Sequence, residues 1–172
     1  MLGITGFGMF HTLLGLVAVA AGFAALIRHG QIALASRSGR AFVWLTLATC
    51  ITGFFIFRHG GFGKPHVLGI VTLLVLAMAW YAERRRGFGR ASAYVAIVGY
   101  SLALFFHFIP GYTETLTRVP VAQPWASGPE DPKLLALVGG TFVVYLIGVS
   151  WQLLRLRSRL RLAAVSGNPG AA

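Results

Sequence analysis

The stretch LGITGFGMFHTLLGLVAVAAGFAALI, residues Leu2–Ile27, carries no charged side chain and stops at Arg28. A run of about 20 apolar residues crosses a hydrocarbon core of about 30 Å as a helix. Four more charge-free runs follow: Ala41–Phe57, Pro65–Ala82, Ala91–Tyr112 and Leu134–Leu154. Threading the chain back and forth through a membrane sorts its cations. One side receives Arg28, Arg37, Arg40, Arg84, Arg85, Arg86, Arg90, Arg155, Arg157, Arg159 and Arg161. The other receives only Arg58, Lys64, Arg118 and Lys133. The basic side faces the cytoplasm. The expected fold is therefore all-α: an integral membrane helical bundle of five transmembrane helices, N-terminus outside and C-terminus cytoplasmic.

Composition agrees. The chain of 172 residues is 56% hydrophobic and 11% charged, with a net charge of +11, where soluble domains carry about 25% charge. Most of the basic residues flank apolar spans, which points to anionic lipid headgroups as partners and away from nucleic acid. A cationic segment ahead of the first span is missing, so Leu2–Ile27 reads as a retained span and not a cleaved leader. The one cysteine, Cys50, falls in mid-span and reads as buried.

The spans are placed at about 8–27, 41–57, 65–82, 91–109 and 134–154, in one bundle over 1–157. The outer loop is 110–133, and the basic tail 158–172 is expected to be disordered. His11, Gly15, Ala18 and Gly22 share one helix face, which lets a neighbouring helix approach closely. The span-2 threonines can bond their own helix backbone. The outer turn Arg58–Pro65 is glycine-rich, but Pro65 stands where a phosphate loop needs Ser or Thr, so that motif is rejected. Glu83, beside Arg84–Arg86, reads as a compensating charge at a helix end. The outer loop holds five of the seven prolines, Trp125, Glu114, Glu130 and Asp131.

The histidines carry the functional expectation. His11 lies about three residues inside the outer boundary, His66 opens span 3, and His107 stands three residues before Pro110. All three are thus expected in one shallow outer layer, with His59 in the turn above. Ionisable groups within a membrane tend to face a bundle interior or cavity, and imidazole is the commonest nitrogen ligand for metals. Two sites follow: a transition metal (Zn, Cu or Fe) held by His11, His66 and His107 with His59 or Glu114, or haem b with two of these histidines as axial ligands. A turn at Pro110-Gly111 is expected to fold Glu114 back over the site, making the outer loop a lid. Against this stands the plainer account that interfacial histidines only snorkel or bond loop carbonyls. The spans contain no acid, which disfavours proton-coupled transport.

Ser38-Gly39-Arg40-Ala41-Phe42, followed by Thr49 and Thr52-Gly53-Phe54-Phe55-Ile56, resembles a family of small uncharacterised bacterial multi-span membrane proteins. The family pattern places a histidine in the first span, Gly-Arg at the start of the second, Thr/Ser-Gly near its end and a histidine opening the third. Here these are His11, Gly39-Arg40, Thr52-Gly53 and His66. The chain departs from the family in having no histidine just before Gly39 or Arg90. The resemblance implies a membrane bundle of the bacterial cytoplasmic membrane and leaves the activity open. Three classes therefore stand: a cofactor-binding redox protein, an accessory or assembly subunit packing on a membrane-protein partner or a second copy, and a small-solute transporter.

Overall fold

The computed structural model describes residues 5–57 and 61–165. Among them it is all-helical, with five α-helices: α1 (Gly6–His29), α2 (Arg37–Gly53), α3 (Lys64–Arg85), α4 (Ser92–Leu116) and α5 (Pro132–Val165). A single 3₁₀ turn, Gly89–Ala91, leads into α4. Helices α1 to α4 form a ring in which each packs on the next and α4 returns to α1, while α5 lies outside against α4. Four helices are long and apolar enough to cross a membrane: α1, α3, α4 with its leading turn, and α5. Helix α2 has 17 residues, or roughly 25 Å of rise, short of a full hydrocarbon core.

Small residues set the spacing of the ring. A Cβ on Gly22 of α1 would meet Leu104 Cδ1 at 2.9 Å and Phe42 Cδ2 at 3.0 Å, and one on Gly99 of α4 would meet Ala79 Cβ at 2.8 Å. Around these notches lies the core: Ala25, Phe42, Leu76, Ala79, Tyr100, Ala103 and Leu104. Along α1 and α2, Gly22 faces Phe42, Gly15 faces Thr49 and His11 faces Gly53. One numbering rises as the other falls, so the pair is antiparallel.

Helix α2 starts and ends earlier than the expected 41–57. Ser36 is its N-cap, with the side chain accepting from Gly39 N at 3.0 Å, so the helix begins within the polar loop. At the other end, Phe55 N–H donates to Thr52 O and Ile56 N–H to Gly53 O, tightening the chain into turns. The connection from α1 is fastened twice. Gly30 closes α1 in the left-handed conformation, φ 73°, and the Glu83 carboxylate accepts from Leu34 N at 2.8 Å. Glu83 thus bonds a neighbouring loop, while α3 itself is closed by Arg86 N–H donating to Ala82 O.

Two further expectations are corrected. Helix α4 does not end before Pro110 but runs through it to Leu116. Proline removes one backbone bond inside a helix, yet Thr113 Oγ1 donates to Ile109 O and Tyr112 OH bonds Thr141 Oγ1 of α5. The Glu114–Arg118 ion pair, four residues apart, adds to that last turn. The tail is also helical as far as Val165, since Arg, Leu and Ala are strong helix formers; residues 166–172 lie outside the described residues. The segment between α4 and α5 is held by its own bonds. Ala126 N–H donates to Leu116 O, and Asp131 accepts from Ser127 N at 2.8 Å and Lys133 N at 2.9 Å.

Two outcomes follow. A Cβ on Gly39 would stand 2.0 Å from Ala33 O, a backbone atom that cannot swing aside. Gly39→Ala should lower stability by about 1–3 kcal/mol, whereas Gly140→Ala, which meets nothing within 4 Å, should not; thermal unfolding in detergent compares them. The N–H groups of Ser127 and Lys133 hold the Asp131 carboxyl below the usual carboxylate range. A depressed value stabilises at neutral pH and is lost as pH falls through it. The melting temperature should therefore fall below about pH 4, by less in Asp131→Ala.

Candidate functional site

The site grows from the face that α2 turns toward α1 and α4. Thr46, Thr49 and Thr52 recur every three residues on that face. Thr52 Oγ1 stands 3.0 Å from His11 Nδ1, and Thr46 Oγ1 stands 3.0 Å from His107 Nε2. Between them, the Cβ position of Gly15 lies 3.6 Å from Thr49 Cγ2 and 3.9 Å from His107 Nδ1. Gly53 leaves room for the His11 ring, whose Cε1 is 3.2 Å from where a Cβ would sit.

His11 and His107 are held by different threonines of α2. Thr46 and Thr52 are six residues apart, about 9 Å along the axis, and each holds one imidazole. The cause is the direction of the Cα–Cβ bond, which tilts toward the N-terminus of every helix. Helices α1 and α4 are antiparallel, so the His11 and His107 rings lean to opposite ends of the bundle.

Hydrogen-bond accounting assigns the ring protons. The Thr52 hydroxyl donates to Ala48 O at 2.9 Å and Thr49 O at 3.0 Å. Its oxygen is left to accept, so His11 carries its proton on Nδ1 and its lone pair on Nε2. Thr46 is fully buried, and its hydroxyl has no acceptor other than His107 among the bonds of the described residues. Stranding that hydrogen would cost about 1–3 kcal/mol. The hydroxyl therefore donates to His107 Nε2, and the His107 proton sits on Nδ1, toward Gly15. The two rings present an acceptor on α1 and a donor on α4.

His66 stands apart. Its Nδ1 accepts from Gly63 N at 3.1 Å, so the proton lies on Nε2, which is buried without a hydrogen-bond partner. The ring stacks among Phe54, Phe57 and Phe62 at centroid distances of 6.5, 5.2 and 5.1 Å. An imidazole protonated on one nitrogen and hydrogen-bonded through the other has no lone pair for a metal. Glu114 is carried onward by α4 to pair with Arg118, about 10 Å along the axis from His107, rather than folded back by a turn at Pro110. His59 lies outside the described residues. Among those residues no group of three His, Cys, Asp or Glu side chains could hold a metal ion.

Of the expected set, His11 and His107 meet on one threonine face, and His66 and Glu114 do not join them. Sequence reasoning passed over Thr46 and took Thr52 only as part of the Thr52-Gly53 resemblance, because threonine in an apolar helix satisfies itself. The available signal was their three-residue spacing opposite the His11–Gly22 face.

In protein labelled with ¹⁵N-histidine, His11 should show a protonated Nδ1 and a bare Nε2, and His66 the reverse. Thr52→Val should abolish the His11 preference and leave His66 unchanged. A His11 proton on Nε2 in the unaltered protein would refute the assignment. No family model matches the chain, and no curated protein or solved structure matches it.

Proposed function

We propose that the chain is a multi-pass protein of the bacterial inner membrane, N-terminus outside, that holds haem b for redox chemistry through His11. The observation that carries this reading is the Thr52 bond to His11 Nδ1. Such a bond orients a ligating imidazole and leaves Nε2 for the iron. A bare transition-metal ion generally needs three or four protein ligands, whereas haem would need as few as one imidazole from the protein, here His11. A single free imidazole lone pair therefore favours haem over an isolated ion. When bound, haem would supply one-electron chemistry. His107, held by Thr46 with its Nδ1–H toward Gly15, is suited to donate a hydrogen bond within the same polar seam. The apolar lengths of α1, α3, α4 and α5 support the membrane reading, and the arginine asymmetry supports the orientation.

A second reading, an accessory subunit, draws on α5. It leaves Val143, Val144, Ile147 and Leu154 exposed and packs on the ring through α4.

Protein purified from haem-replete cells should show a Soret band typical of one axial histidine. His11→Ala should lose it and His66→Phe should keep it. Absence of haem from the unaltered protein would reject the haem reading in favour of the accessory one, and its retention in His11→Ala would reject His11 as the residue that holds it. Reporter fusions at Gly128 and after Ala172 should report opposite sides of the membrane.

A further inference from the structure

At the end of the bundle farthest from His11, α1 and α5 leave a shallow surface crevice lined by His29, Gly30, Gln31, Gln152, Arg155 and Arg159. Its charge is one-sided. Arg155 and Arg159 are one turn apart on the same helix face, where like charges repel. The chain has only four acids, and each is engaged elsewhere. Glu83 bonds Leu34 N, Glu114 pairs with Arg118, Glu130 pairs with Lys64, and Asp131 accepts from Ser127 and Lys133. Among the described residues no side-chain carboxylate is left to neutralise the crevice, which leaves it open to an anion from outside.

The walls are set in place. The Arg155 guanidinium lies over the Trp151 ring, 4.7 Å from its centroid. Its Nη1 comes within 3.0 Å of where a Cβ on Gly30 would be, so the guanidinium rests against the left-handed end of α1. Gln152 is buried, its amide bonded to Ser101 Oγ at 3.2 Å. The negative end of α1 accounts for a cation beside Gly30 but not for Arg159 a turn farther on.

We propose that this crevice binds a phosphate, and specifically the phosphodiester of an anionic phospholipid. Planar guanidinium forks match phosphate oxygens in pairs, and basic pockets between membrane helices take such headgroups. The lipid is favoured over a soluble phosphate by what borders the site. Trp151, 57% exposed beneath the Arg155 guanidinium, offers an acyl chain an apolar surface beside the headgroup. The inference rests on the membrane reading and is independent of His11 and haem.

The test is native mass spectrometry of the full chain in mild detergent with equimolar phosphatidylglycerol and phosphatidylcholine. Phosphatidylglycerol adducts should predominate, and the preference should fall about fivefold for each arginine removed in Arg159→Gln and Arg155→Gln/Arg159→Gln. The variants' melting temperatures in phosphatidylcholine alone should match the parent, with Arg159→Gln covering any folding defect of the double change. Equal retention of the two lipids by the parent, or an undiminished preference in Arg159→Gln, overturns the proposal. Inorganic phosphate raising the melting temperature as much as phosphatidylglycerol does would assign the crevice to a soluble anion and overturn the lipid. A haem-free protein that still prefers phosphatidylglycerol would separate this site from the fate of the haem reading.

Discussion

The close approach of α1 to α2 governs most of what this chain does with its polar groups. Gly15 and Gly22 remove the side chains that would hold the two helices apart. With that gap closed, Phe42 enters the notch at Gly22, Thr49 lies against Gly15, and Thr52 reaches His11. The same register lets α4 bring Leu104 to Gly22 and His107 to Thr46. Widening the α1–α2 spacing by one methyl group would disturb core packing and imidazole orientation together. Close packing of small residues is a general route to helix association where the solvent is as apolar as the protein.

How much of this was legible beforehand divides along a physical line. The four long apolar helices follow from the lengths of uncharged runs, because solvation of side chains sets those lengths. The start of α2 at Arg37 did not, because a serine cap and the Glu83–Leu34 bond decide it. Pro110 was read as a terminator, yet threonine bonds and the Tyr112–Thr141 contact carry α4 past it. Which threonine each imidazole meets was not legible, for a geometric reason. Counting residues gives the depth of a Cα, whereas the depth of an imidazole also depends on the direction its helix runs. In an antiparallel pair that correction has opposite signs.

The chemistry of the histidines is settled by neighbours with no catalytic reputation. Two threonines and one glycine amide allot the protons on His11, His107 and His66, and the three rings emerge with different capacities. Residue identity alone would make them interchangeable. A hydroxyl that already donates to its own helix can only accept from an imidazole, and one lacking that outlet must donate. The difference between Thr52 and Thr46 is thus a difference between a basic nitrogen left free and one already used.

Helix α5 has a mechanical consequence. Its 34 residues make a rod of roughly 50 Å, well beyond the thickness of a hydrocarbon core. It is tied to the ring near its start by Tyr112–Thr141 and at mid-length by Ser101–Gln152. Beyond Gln152 some 13 residues continue past the end of α1, which Arg155 touches at Gly30, with Arg155 to Arg161 along them, a lever arm of roughly 20 Å. Tilting that arm by about 10° would shift its tip by roughly 3 Å, about the length of one hydrogen bond. Forces applied at the basic end are thereby delivered to the Ser101–Gln152 contact, inside the helix that carries His107.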